Sequence, residues 1–335
     1  MNRNHKIVIG MILVIGTIIL TSMKLDQKQV FKLAEVQGID YPTSIANQKF
    51  ADLVKEKTAG RIQIEIYTDG KLGEETEVIK EMQSGNIAFG RVSIGPLAEY
   101  VDQLHALMLP YLYADSAHMW RVLEGEVGQS MLEALGEAGL MGLTWYDAGA
   151  RSFYFTKEIT RIEDFQDQRI RVQKNSLMYA MCEDLGAKPE SLSEGDIYIA
   201  ILNGSLDGAE NNIPTYETYK QYEVCPYYIL DEHTRMPELL VASQHIMKKL
   251  SKADQAIILE AAKEAGAYER TLWNEREQEA IARLKDQGVQ FVALSEEIKS
   301  GLKEASKGLY EAFGSKYENI IRQIEEIKYL KNIDY

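Results

Sequence analysis

Between Arg61 and Ser93 the hydrophobic period of the sequence changes twice, and this restricts the chain to one class of fold. Arg61–Tyr67 alternates, with Ile62, Ile64 and Ile66 on one side, which predicts a strand. Asp69-Gly70 turns the chain, and Glu74–Gln83 then carries Val78, Ile79 and Met82 at helical spacing before a stop at Gly85. Ile87–Ser93 reads as the next strand. Strand, helix and strand at this spacing make a parallel crossover unit, so an α/β fold is expected.

The alternation continues along the chain. An extended piece, Phe31–Val36, leads through Pro42-Thr43 into a helix over Ser44–Thr58, with Ile45, Phe50, Leu53 and Val54 on its inner face. Helices are expected over Ser116–Glu133, Ser176–Leu185 and Glu194–Leu202. Strands are expected over Met141–Tyr146, Phe153–Thr156, Arg169–Gln173 and Leu239–Ser243, the last entered after Pro237. Lys252–Asp286 stands apart: it has no proline, glycine only at Gly266, and Ile258, Ala261, Ala265, Leu272, Ala280 and Leu284 at helical spacing. As one helix it would run roughly 50 Å, longer than one small domain is wide. As a helix pair it would break near Gly266. A strand over Val289–Leu294 and amphipathic helices over Ser295–Phe313 and Ser315–Tyr329 complete the chain. No repeat, low-complexity tract or Pro/Ser linker separates the units, so two interleaved domains are expected.

Residues 1–24 bear on the compartment. Arg3 and Lys6 precede an apolar run from Ile7 to Leu20, broken only by Gly10, Gly16 and Thr17, the pattern of a secretory leader. The run falls short of the about 20 apolar residues of a membrane span. No A-x-A cleavage site and no lipid-acceptor cysteine follow, so a cleaved signal peptide and an uncleaved anchor both stay open. The body is expected in the periplasm or on the outer face of the cytoplasmic membrane.

Composition narrows the function. With 37 Lys+Arg against 51 Asp+Glu the formal charge is −14, which repels phosphate backbones and argues against a nucleic-acid partner. Two cysteines and five histidines leave little for a disulfide framework or a structural zinc site. Cys182 and Cys225 read as two partly buried thiols, with a single disulfide as the alternative. The sequence has no G-x-S-x-G elbow, phosphate loop, G-x-G-x-x-G or H-E-x-x-H, and His5, His105, His118, His233 and His245 never fall at ligand spacing. A non-enzymatic chain without a cofactor is expected.

Two patches carry recognition chemistry instead. The first runs Gly149-Ala-Arg151-Ser-Phe153 and then Arg169-Ile-Arg171-Val172-Gln173. Alternation in a strand puts Arg169 and Arg171 on the same side, and Arg171 falls at the carboxyl end, where ligands of open α/β sheets bind. Its planar fork of donors matches a carboxylate, although a surface or structural ion pair is the plainer reading of any single arginine. The second patch runs from Tyr198 to Asn212. A helix ends at Gly204, Asp207-Gly208 turns, and a short strand delivers Glu210, Asn211 and Asn212, whose amides suit hydroxyl or carboxyl recognition, or simply the turn.

At these residues the chain resembles the extracytoplasmic solute-binding proteins of tripartite ATP-independent periplasmic (TRAP) transporters, the DctP-type family. The resemblance spans residues 30–335 and rests on linked motifs in order. These are Thr58-Ala-Gly-Arg61, Lys71-Leu-Gly73-Glu-Glu75, Ser84-Gly85-Asn-Ile87 and Leu109-Pro110-Tyr111-Leu112-Tyr113, then the two patches, then Glu223-Val-Cys-Pro-Tyr227-Tyr228 with Glu232-His233. It implies a two-domain periplasmic-binding-protein clamshell with mixed, mostly parallel sheets and one long helix spanning both lobes. Lobe I would take residues 25–148 with about 236–276, and lobe II residues 149–235 with about 277–335. Arg171 matches the arginine that pairs with a substrate carboxylate, Arg151 a supporting arginine, and Asn211 an amide that contacts the ligand or Arg171. Glu75 matches a first-domain cleft residue, and Tyr111 and Tyr113 match aromatics near the cleft. Asn212, Arg91 and Tyr198 are further ligand-binding candidates, Arg91 being equally readable as a structural ion pair. The implied partners are a small organic acid and the integral-membrane TRAP permease subunits. Glu210-Asn211-Asn212 through Tyr216-Glu217, and on to Asp231-Glu232-His233, resembles the branch associated with hexuronates. A C4-dicarboxylate or keto-acid receptor, which would want a second cation from Arg151, Arg169 or Arg91, is the alternative, as is a ligand-sensing module. Two positions depart from the family pattern: Glu158 stands for a usual proline, and Asp167 for a usual glycine.

Overall fold

The computed structural model describes residues 28–327, so the expected leader and the last two residues of the helix expected over Ser315–Tyr329 lie outside the described residues. Among the described residues twelve strands form two sheets. The first runs in the order β2-β1-β3-β11-β4, with β1 Gln29–Ala34, β2 Ile62–Tyr67, β3 Phe89–Ser93, β4 Leu140–Tyr146 and β11 Glu238–Ser243. Its β1 pairs parallel with β2 and β3, while β11 runs antiparallel to β3 and β4. The second runs β12-β9-β5-β8-β6-β7, built from β5 Ala150–Phe155, β6 Arg169–Arg171, β7 Lys188–Glu190, β8 Gly208–Asn211, β9 Tyr227–Ile229 and β12 Gln290–Val292. A short β10, Thr234–Arg235, pairs with β5.

The chain passes between the sheets three times. It leaves the first through Asp147-Ala148-Gly149, between β4 and β5, and returns through Met236-Pro237, between β10 and β11. The third passage is a single helix over Lys252–Asp286. This is the two-domain architecture of periplasmic binding proteins, and the long helix resolves the question at Gly266. A Cβ on Gly266 would stand 2.6 Å from Thr144 Oγ1 and 3.1 Å from the Trp145 carbonyl, so the glycine lets the helix lie directly on β4 rather than breaking it. Gly266→Leu is expected to destabilise the protein by about 1–3 kcal/mol through overpacking, despite the about 1 kcal/mol of helix propensity that glycine forfeits. A denaturant midpoint equal to the wild type would contradict this.

Other boundaries shift for similar steric reasons. The helix expected over Ser116–Glu133 is two helices, Ser116–Glu124 and Glu126–Ala134, hinged at an extended Gly125. Gly128 permits the bend, since a Cβ there would overlap the Leu123 carbonyl. The segment from Ser295 to Phe313 holds one regular helix, Glu296–Ala305, followed by a single short α-helical turn, Lys307–Leu309, and a wider π-helical turn from Tyr310. Asp167, where the family pattern has glycine, keeps a left-handed φ of 62°, a region that Asp tolerates better than most residues. Cys182 and Cys225 are both buried and unpaired. Among the described residues no helix is long and apolar enough to cross a membrane.

Candidate functional site

A cavity of about 280 Å³ lies between the two sheets, lined from one side by Gln37, Glu75, Arg91 and Glu238 and from the other by Arg151, Arg171, Glu194, Asn211 and Asn212. The two halves touch directly around it. Tyr41 Oη lies 2.8 Å from Thr215 Oγ1, Tyr219 Oη donates to Gln37 Oε1 at 3.3 Å, and Asn175 Nδ2 donates to the Gly95 carbonyl and Glu99 Oε1 at 3.0 Å each.

Arg171 ends β6 and is 6% exposed. Its Nε and Nη2 both donate to the Leu192 carbonyl, at 3.0 and 2.9 Å, and Nη1 stands 3.1 Å from Glu194 Oε2. These contacts orient the guanidinium side-on against the protein. Arg169, two residues back on the same strand, is held by Asp207 at 2.8 Å and stays out of the cavity.

Arg151 belongs to β5, which begins at Ala150, earlier than the expected strand. It is anchored in fork geometry by Glu210, with Nε to Oε2 at 2.5 Å and Nη2 to Oε1 at 2.9 Å, and its Nη1 donates to Asn211 Oδ1 at 2.9 Å. Burial works against the Arg151 charge, yet Glu210 outweighs it and holds the guanidinium above its ordinary range. Burial likewise opposes the Glu210 charge, and Arg151 with His233 overcomes it, lowering that carboxyl to about 2. His233 completes the chain: its Nδ1 meets Asp231 Oδ2 at 2.7 Å and its Nε2 lies 3.5 Å from Glu210. Desolvation disfavours the imidazolium, but Asp231 and Glu210 raise His233 to about 9.

Asn211 ties the two arginines together, accepting from Arg151 and donating through Nδ2 to Glu194 Oε1 at 3.1 Å. The Asn212 Oδ1 caps the following helix at Thr215 N, at 2.8 Å. On the facing wall Arg91 is 2% exposed and gathers three carboxylates. Its Nη2 meets Glu35 Oε1 at 2.5 Å, and its Nη1 meets Glu75 Oε1 at 2.8 Å and Glu238 Oε1 at 2.9 Å. Arg91 is therefore an ion-pair hub that also lines the cavity.

Six of the sequence candidates, Arg171, Arg151, Asn211, Asn212, Glu75 and Arg91, thus share one cavity. Tyr198 and Tyr111 do not. Tyr198 Oη donates to Glu223 at 3.0 Å on the outer side of its helix. Tyr111 donates its N–H to the His233 carbonyl at 2.9 Å and, with Tyr113, lines a separate cavity of about 370 Å³ that includes Asp231, Arg235 and Lys303. Sequence reading passed over Glu194 and Glu238. The only signals were that one opens a helix and the other follows Pro237 at a strand entrance, and neither points to a cleft.

The model of the bacterial extracellular solute-binding proteins, family 7, matches residues 33–316. A solute-binding protein of Chromohalobacter salexigens is 32% identical over 289 residues, which is 86% of this chain and 85% of that one. Among solved structures, a TRAP periplasmic solute-binding protein of Bradyrhizobium with bound α/β-D-galacturonate superposes with a TM-score of 0.86 at 34% identity, covering 89% of this chain and all (100%) of that one. Another, from Pseudomonas putida with bound D-glucuronate, has a TM-score of 0.88 at 31% identity, covering 91% of this chain and 99% of that one.

Proposed function

Since the chain belongs to the bacterial extracellular solute-binding proteins of family 7, we propose that its cavity captures a hexuronate such as glucuronate or galacturonate and delivers it to the membrane permease subunits of a TRAP transporter. Arg171 carries this reading. It is a buried guanidinium at the carboxyl end of a strand, side-on to the protein and lining the cavity between the lobes. A ligand carboxylate entering there competes with Glu194 for Nη1 and takes the remaining Nη2 proton, in the paired geometry that arginine favours. A volume of about 280 Å³ falls at the small end of ligand pockets, which suits a single sugar ring. The amides of Asn211 and Asn212 and the carboxylates across the cavity supply partners for hydroxyls. A neutral hexose would leave Arg171 desolvated with no anion gained, so it is rejected. Closure of the lobes over the solute presents the form that docks on the permease, with the leader cleaved or kept as an anchor.

Thermal melting of the protein with glucuronate, galacturonate, glucose and galactose tests the reading. A uronate at a hundredfold excess over Kd is expected to stabilise by about 2.7 kcal/mol, a rise on the order of 5 °C. The hexoses are expected to leave Tm unchanged. Equal shifts with both classes, or none with either uronate, would sink it.

A further inference from the structure

The charges lining the cavity are segregated. Arg151, Arg171 and Lys174 lie on the second-sheet side. On the first-sheet side Arg91 is the one cation among the described lining residues, and it is fully committed. Its three guanidinium nitrogens serve Glu35, Glu75 and Glu238. Three carboxylates on one guanidinium leave a formal excess of negative charge, and Glu74 and Glu77 line the same side. Glu75 Oε1 also accepts from Ser93 N–H and Oγ, at 3.1 and 2.9 Å. Glu238 Oε2 is buried with no hydrogen-bond partner. Burial against Glu75 and Glu35, partly offset by Arg91, pushes the Glu238 carboxyl up to about 7, so this wall already holds as much negative charge as its surroundings support.

We propose that the Arg91 cluster is a monoacid filter, in which Glu75 and Glu238 accept hydroxyls at the end of the ligand remote from its carboxylate and exclude solutes with a second carboxylate there. This rests on the uronate reading of the cavity. It narrows the substrate class to polyhydroxylated monoacids and sets aside C4-dicarboxylates. On the wall facing Arg171 no cation is free for a second carboxylate, because Arg91 is saturated; Arg151 is taken by Glu210 and Asn211, Arg169 by Asp207 outside the cavity, and Lys174 stands on the Arg171 side.

Calorimetric titration of the full chain with D-glucuronate, L-gulonate and D-glucarate tests it. The three share one carbon skeleton; L-gulonate is an open-chain monoacid and D-glucarate its counterpart with a second carboxylate. The wild type is expected to bind glucarate at least 100-fold more weakly than the tighter monoacid. Glu238→Gln and Glu75→Gln, which keep the shape and remove a charge, are expected to tighten glucarate binding at least tenfold. Failure to bind either monoacid overturns the uronate reading and the filter with it. Monoacid binding with glucarate within tenfold overturns the filter alone, and this wild-type comparison needs no variant. Folded variants, checked by melting, that bind glucarate no better than the wild type overturn it as well.

Discussion

Arg171→Ala is expected to weaken hexuronate binding by about a thousandfold. Truncating one partner of a buried, hydrogen-bonded charge pair costs about 2–5 kcal/mol, and each 1.4 kcal/mol is about tenfold in Kd. The site concentrates that loss in one side chain, because Arg151 is held in fork geometry by Glu210 and Arg91 is paired with three carboxylates, whereas Glu194, the carboxylate on Arg171, meets it through Nη1 alone. Removal also leaves Glu194 without its cation at 3.1 Å, so the vacated space becomes more negative as well as less positive. Arg171→Lys keeps the charge but replaces a planar fork by a point donor, and its weakening is expected to be about 10–100-fold. Calorimetry with glucuronate and galacturonate reads both variants. Retention of wild-type affinity by a folded Arg171→Ala protein would remove the basis of the functional assignment.

The largest stability effect is expected at Glu210, which touches no solvent. Its two oxygens hold Arg151 at 2.5 and 2.9 Å, one also accepts from Gln173 N–H at 3.2 Å, and His233 Nε2 stands 3.5 Å away. Glu210→Gln removes the negative charge between two buried cations, and breaking a buried pair in this way costs about 3–5 kcal/mol. The pH dependence identifies the cause. The folded-state carboxyl sits at about 2, below its ordinary value, so its contribution is present above the unfolded pKa and is lost as pH falls through the folded one. His233, raised to about 9, acts in the opposite sense: its contribution is full below its unfolded pKa and fades as pH rises through 9. In Glu210→Gln the acid limb of the stability curve should flatten between pH 4.5 and 2. The His233 titration, followed by NMR, should move to lower pH. A variant with wild-type stability and an unchanged acid limb would show that the pair is energetically idle.

Much of the fold was legible because it is written locally. The alternation of Ile62, Ile64 and Ile66 and the helical spacing of Val78, Ile79 and Met82 each describe one face of one element. The structure places β2 Ile62–Tyr67 and helix Glu75–Ser84 within a residue or so of expectation. One boundary moved where glycines bend the chain locally: Gly125 and Gly128 divide the helix expected over Ser116–Glu133. Gly266, left open as a break, is an approach point for the distant Thr144.

The candidate site divides along the same line. Arg171 was legible from its strand end, and Arg151 and Asn211 from the family resemblance; Asn211, expected at the ligand or Arg171, accepts from Arg151 at 2.9 Å and is linked to Arg171 through Glu194. Tyr111 follows from the resemblance alone and Tyr198 from its place in the second patch, and the chain carries both away from the cavity.

By itself the sequence determined the α/β class, the helical spacing of apolar residues over Lys252–Asp286 and a carboxylate-matching arginine at a strand end. Each depends on residues a few positions apart, where backbone geometry alone sets direction. Only the tertiary structure decided that the long helix runs unbroken through Gly266, and which arginines are free. Glu35, Glu75 and Glu238 converge on Arg91 from sequence separations of 56, 16 and 147 residues. Whether a guanidinium is spent on the protein or left for a solute is settled by such distant partners, since Coulombic pairing follows distance in space and not order along the chain.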